Sequence, residues 1–149
     1  SRQIDSDYRE GRLLINGRAK GHAFERELIK MFQDEFGDCA SHLKRNLDQY
    51  QIAGKADIEF HNLMIEAKRY ASGHWHKPEW WEQAKTSAGD THIPVLIYKY
   101  DRQPIKMVFP LSIMNDYSIK TAETITVDWE TGILLMRESL EVPDETVRI

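Results

Sequence analysis

The feature that most constrains this chain is a pair of short runs on either side of His61-Asn62. The first is Ala56-Asp57-Ile58-Glu59-Phe60 and the second is Leu63-Met64-Ile65-Glu66-Ala67-Lys68. Alternating apolar and polar residues around a two-residue gap predict a β-hairpin, with Asn62 able to take a positive φ in the turn. Put in register, Phe60 opposes Leu63, Glu59 opposes Met64, Ile58 opposes Ile65 and Asp57 opposes Glu66. Opposed residues share a face, as do alternate residues along a strand. One face then carries Ala56, Ile58, Phe60, Leu63, Ile65 and Ala67, a core surface. The other carries Asp57, Glu59, Met64, Glu66 and Lys68. Carboxylates directly opposed on neighbouring strands repel each other, and a divalent cation between them turns that repulsion into binding. A hairpin with one apolar and one solvated, charged face is common, so a second observation has to decide between the two.

A helix over residues 22–36 supplies it. At about 100° per residue from Phe24, the apolar Leu28, Phe32, Phe36 and Ile29 fall at about 40°, 80°, 120° and 140°. Glu25 falls at about 100°, in the middle of that stripe. Glu27, Arg26, Lys30 and Asp34 lie on the far side. An acid on the buried face of a helix is costly unless something pairs with it. Three acids in costly places, Glu25, Asp57 and Glu66, become reasonable together if they share Mg²⁺, which takes hard oxygen ligands. Lys68 projects into the same site.

The remaining elements follow from punctuation and pattern. Residues 1–18 read as a polar arm or short strand, and 19–149 as a single domain. Residues 40–47 suggest a short strand, and 48–55 a loop containing Gly54. A second helix spans about residues 78–88, with Pro78 in its first turn and Gly89 at its C-terminal cap. Strands are expected at 93–98 and 106–109. Residues 124–129 and 133–137 suggest a second hairpin around Glu130-Thr131-Gly132. Helix, strands, helix and strands in this order indicate an α/β fold, with helices flanking a mixed sheet.

Composition narrows the setting. The net charge is −4, so the chain does not coat nucleic acid by charge alone. Residues 1–70 hold 12 basic and 12 acidic side chains, against 8 and 12 in 71–149. If first-half acids bind metal, that half presents a positive field to phosphate. Cys39 is the single cysteine, so no intramolecular disulfide can form. It is expected to be a small buried residue, and a cytoplasmic, intracellular setting is expected. No run is apolar enough for a membrane span.

Asp57, eight residues and then Glu66-Ala67-Lys68 resembles the PD-(D/E)xK nuclease signature. Ala56 stands where that superfamily often has proline. An upstream helix bearing Glu25 fits the same superfamily, whose restriction-endonuclease-like core has the order α-β-β-β-α-β. More narrowly, Ala19-Lys20-Gly21-His22-Ala23-Phe24-Glu25-Arg26-Glu27-Leu28-Ile29 resembles the opening of archaeal-type Holliday junction resolvases. That resemblance covers residues 19–70, and a phage-encoded version would suit its divergence elsewhere.

The resemblance implies metal-assisted phosphodiester hydrolysis. Asp57, Glu66 and the Ala67 carbonyl would hold one or two Mg²⁺ ions, with Mn²⁺ able to substitute. Glu25 would be a direct or water-mediated ligand, and Lys68 would orient the attacking water or neutralise developing charge. Gln83 resembles a glutamine that often follows the signature and would help position metal or nucleophile, although a solvated helix residue is the plainer account. The implied substrate is DNA, preferentially four-way junctions in recombination and repair. The implied assembly is a homodimer making paired symmetric cuts. Another nuclease of the superfamily, restriction- or repair-like, would share the same four residues. A DNA-binding domain that had lost catalysis would be expected to lack at least one.

Arg18, Lys20, Lys44, Arg45 and Arg69 neighbour the site in sequence and are the expected phosphate contacts. Arg9, Arg12 and Lys55 are further candidates, and several of these cations are expected to be solvated surface. His74 and His76 flank Trp75, but with one cysteine and no clear third ligand they make a poor zinc site. Trp75, Trp80 and Trp81 with Lys77 could stack on exposed bases, while core or interface packing is expected of at least one tryptophan.

Overall fold

The protein is described by a computed structural model covering residues 2–45, 56–114 and 121–140, with side chains described from Ala19 onward. The elements run α1 (Arg2–Phe36), β1 (Ile58–Phe60), β2 (Leu63–Tyr70), α2 (Pro78–Ala88), β3 (Ile93–Tyr100), β4 (Lys106–Pro110), β5 (Thr124–Asp128) and α3 (Trp129–Ser139). Short 3-10 turns at Gly37–Ala40 and Leu111–Met114 join them.

The five strands lie in the order β1-β2-β3-β4-β5. Among the described residues β2 and β3 run parallel, since α2 carries the chain back between them, and the other pairs are antiparallel. The sheet is therefore mixed, as expected. Its two faces follow from alternation along the strands. Ile58, Phe60, Leu63, Ile65, Val95, Ile97, Met107 and Phe109 point to one side. There they meet Phe24, Leu28, Phe32 and Phe36 of α1, and Ile133 and Met136 of α3. Leu96, Tyr98, Tyr100 and Val108 point to the other side, against Trp80, Trp81 and Ala84 of α2. Each fully buried Val, Leu, Ile, Phe or Met among them contributes about 1.5–3 kcal/mol of transfer free energy. The result is three layers: α1 and α3, the sheet, then α2.

The first hairpin forms in the expected register, with Ile58 opposite Ile65, Glu59 opposite Met64 and Phe60 opposite Leu63. The positive φ falls on His61 (51°), not on Asn62. Asn62 instead donates its side-chain amide to Ser139, at 3.3 Å to the carbonyl and 3.2 Å to Oγ. Helix α2 has the expected bounds, with Pro78 in its first turn and Gly89 at the cap with φ 57°.

Three expectations need correction. Residues 2–18 are neither arm nor strand but the first half of α1. Once the packed half exists, extending a helix adds one hydrogen bond per residue fixed, and Arg, Leu and Glu favour it. Residues 40–45 are not a strand, and among the described residues two strands lie between α1 and α2. Local bonds take the backbone there: Ser41 N–H to Asp38 O at 3.2 Å and Leu43 N–H to Ala40 O at 3.1 Å. Such short-range pairing competes with a strand ladder. The loop 48–55 lies outside the described residues.

The expected C-terminal hairpin is, after β5, the helix α3. Asp128 caps it, accepting from Thr131 N–H at 3.0 Å. Ile133 and Met136, three apart, bury on the sheet while Leu134 stays out. A Cβ on Gly132 would overlap Met107 Sδ, so this residue sets how closely α3 approaches β4. Among the described residues no helix is long and apolar enough to cross a membrane.

Replacing Asp128 with alanine should cost about 1 kcal/mol of stability through the lost cap. In thermal unfolding that corresponds to a fall of about 2–4 °C in Tm for a chain of this size. An unchanged Tm would deny the cap its role.

Candidate active site

Strand β1 starts at Ile58, so the ladder on that side of β2 ends at Ile65. The Ala67 N–H just beyond is left without a strand partner, and Asp57 Oδ2 accepts it at 2.7 Å. This bond brings the Asp57 carboxyl to Glu66, and the two are hydrogen-bonded to one another. Glu66 is 1% exposed and Glu25 4%. Ser87 Oγ, on α2, donates to Glu66 Oε1 at 2.9 Å. Lys68 lies near enough for its charge to favour ionised Glu66, and the charge of Glu25 opposes ionisation of both other acids.

Two acids cannot share a buried site fully ionised. Burial is the main cause that pushes the Asp57 carboxyl up to about 8, with the Glu66 charge next and the Ala67 N–H pulling the other way. Glu66 is also raised by burial, against the opposing pull of Ser87, Asp57 and Lys68. Two neighbouring carboxyls that burial disfavours in their charged forms mark a position a cation could take. Asp57, Glu66 and the Ala67 carbonyl offer the hard oxygens that Mg²⁺ prefers, so the donor set fits.

The third acid is otherwise engaged. Arg45 Nε donates to Glu25 Oε2 at 2.8 Å, with both side chains largely buried. The acid on the buried helix face thus finds an arginine, and not the other carboxylates, as its direct partner. Among the described residues no three His, Cys, Asp or Glu are gathered closely enough to hold a metal ion.

The expected phosphate contacts separate into groups. Arg45 faces inward onto Glu25. Arg69 Nη2 and Lys20 Nζ both pair with Asp101, at 2.6 and 2.9 Å, and hold that carboxylate below its usual range. Lys44 is exposed and lines a cleft of about 310 Å³ with Arg26, Ile29 and Arg45. The side chains of Arg9, Arg12 and Arg18, and all of Lys55, lie outside the described residues.

Gln83 is exposed on α2, and the hydrogen bond from this helix to Glu66 comes one turn later, from Ser87. Sequence reasoning missed Ser87; its one signal was the four-residue step from Gln83, which puts both on one helix face. Trp80 and Trp81 are buried against the sheet, whereas Trp75 is 53% exposed. His76 packs between Trp75 and Tyr98, and burial lowers its pKa. Cys39 is half-buried against the core, and burial raises its thiol.

A mixed sheet that sets half-buried Asp57 against buried Glu66, with Lys68 two residues further on, is the arrangement of the PD-(D/E)xK nuclease class. Residues 16–135 match the family model described as "Phage putative PDDEXK endonuclease", and the chain belongs to that family. Comparison with curated proteins finds no match. Among solved structures, the chain is similar to Hjc, a Holliday junction resolvase from the archaeal hyperthermophile Archaeoglobus fulgidus. The identity is 18% and the TM-score 0.44, over 72% of this chain and 86% of that one.

Without metal, the folded chain holds a proton on Asp57 between about pH 4 and 8 that the unfolded chain has lost. The stability this proton provides is present in full below about pH 4 and is lost as pH rises towards 8. In metal-free buffer, Tm should therefore fall between about pH 5 and 8.5, with Glu66 acting in the same direction. Asp57→Asn should flatten that fall. A wild-type Tm that is level across this range would rule out the shared proton.

Proposed function

We propose that this chain is a Mg²⁺-dependent, structure-selective DNA endonuclease that resolves four-way junctions, acting as a homodimer that makes paired symmetric cuts. The observation that carries the catalytic part is half-buried Asp57 set against buried Glu66, with Lys68 on the same strand as Glu66. The motif at residues 19–29, which resembles that of junction resolvases, supports the choice of substrate.

In this reading Asp57, Glu66 and the Ala67 carbonyl hold one or two divalent cations, and Mn²⁺ can replace Mg²⁺. Bound there, the metal supplies charge stabilisation at the attacked phosphate and acidifies a water. Ser87 fixes the rotamer of Glu66 by donating to Oε1. Arg45 does the same for Glu25, holding it in reserve beside the pair as a direct or water-mediated ligand. Lys68 places a positive charge where negative charge grows on the phosphate. Gln83, on the same helix face as Ser87, helps to position the metal or the nucleophile. Arg26 and Lys44 take DNA phosphates along their cleft. Lys20 and Arg69 engage phosphate by exchanging Asp101 for it, and Arg18 is a further phosphate contact chosen from its place in the sequence.

The deciding experiment offers an immobile four-way junction and a matched linear duplex to the protein, with and without Mg²⁺. Paired symmetric cuts confined to the junction are expected, with Asp57→Asn slower by at least about 10²-fold. Equal cutting of both DNAs would move the function to a general nuclease of this family. Junction binding without cleavage in any divalent metal would leave a binding domain. Light scattering should give a dimer mass.

Two variants probe the supporting residues. Ser87→Ala should raise the Mg²⁺ concentration needed for half-maximal cleavage by about 10-fold, as loss of a hydrogen bond to a metal ligand does. An unchanged requirement would detach Ser87 from the metal. Lys44→Ala should make the slope of log affinity against log salt shallower by about 0.9, one phosphate contact. An unaltered slope would place Lys44 off the DNA.

A further inference from the structure

We propose that Tyr70, Trp75 and Lys77 form a platform for an unstacked nucleobase of the DNA strand. The choice of DNA as ligand rests on the nuclease reading above.

The placement follows from β2. Glu66, Lys68 and Tyr70 alternate along one strand, so all three leave the same face. Tyr70 lies about 13 Å from Glu66 along that strand. Its ring stacks on Trp80 with centroids 5.2 Å apart and planes 7° apart. Trp80 is 6% exposed and Tyr70 46%. The lower ring is thus anchored in the core and the upper one is open to solvent.

Trp75 lies five residues beyond Tyr70 in the chain, on a loop that is pinned three ways. Tyr100, the β3 partner of Tyr70, donates its hydroxyl to Trp75 O at 2.5 Å. Gly73 has φ 147°, and a Cβ there would overlap the Tyr100 ring. Gln103 Nε2 donates to Gly73 O at 2.6 Å. The Trp75 ring leans on His76, centroids 4.9 Å apart, and His76 in turn on Tyr98. An exposed indole held this firmly adds little to the core, which already has Trp80 and Trp81.

The chemistry of the patch selects the occupant. Lys77 Nζ sits 6.0 Å from the Tyr70 ring centre and 5.9 Å from that of Trp80, putting a cation within the aromatic surface. Aromatic faces beside a cation suit a base with its phosphate better than an apolar protein surface, and the patch continues the strand face that bears Glu66 and Lys68. Stacking of this kind tolerates any base, because every base has a π-face. A base stacked within a duplex has no free face to offer. The platform therefore favours DNA in which pairing or stacking is interrupted near the cut.

The test measures binding in EDTA, where no cutting occurs. One DNA carries 2-aminopurine at an unpaired position, and the other is the fully paired duplex of the same length. Wild-type protein should quench the 2-aminopurine. Trp75→Ala should abolish the quench and weaken binding to the interrupted DNA about 10-fold, leaving duplex binding unchanged, while Trp75→Phe retains most of both. An equal loss on both DNAs, or no loss on either, overturns the platform. Selective binding without cleavage in Mg²⁺ would sink the nuclease reading alone.

Discussion

Everything at the candidate site depends on one pairing, Ile58 against Ile65. These two residues share the core face of the first hairpin, and neither can turn away without exposing a fully buried side chain. Their fixed register ends the ladder one residue before Asp57 and leaves the Ala67 N–H open. Asp57 closes that gap with its own carboxylate, and closing it sets this carboxylate on Glu66. The acid pair is thus a by-product of core packing: apolar burial drives it together despite its repulsion.

The electrostatic balance around the pair is built of opposing parts. Burial and the charge of Glu25 disfavour ionisation, while the Ala67 N–H acts on Asp57, and Ser87 and Lys68 act on Glu66, to favour it. Arg45 pairs with Glu25 and offsets part of the charge that it adds to the repulsion. A site in this condition holds opposed charges in tension that a bound divalent cation would relieve. The fold tolerates that tension because it is local, flanked on one side by the aromatic and aliphatic core under α1 and α3 and on the other by α2.

Much of this was legible in the sequence. The hairpin register, the span of α2 and the core stripe of α1 follow from periodicity and from Pro78 and Gly89. Asp57, Glu66 and Lys68 stood out because alternation forces them onto one face. What escaped was tertiary. Whether residues 124–139 form strand and helix or two strands turns on a single cap at Asp128, and their apolar pattern suits either. The phosphate contacts were chosen by nearness in sequence, which says nothing of Asp101, about thirty residues beyond Arg69 and paired with it. Arg45 shows the same limit: its charge was plain, its direction was not. His61 took the strained turn position because Asn62 is held by Ser139, a bond between distant segments.

Helix α2 touches β2 at two places that have different chemistry. Ser87 holds Glu66, and Trp80 supports Tyr70. Seven residues of helix separate the first pair of ends, about 10 Å, and four residues of strand the second, about 13 Å. Both are stiff, hydrogen-bonded rods, and each is fastened to the other near its ends. Together they behave as a braced frame. The interval from the acid pair to the aromatic surface is then a fixed length of the molecule, a gauge against which any strand laid along β2 is measured.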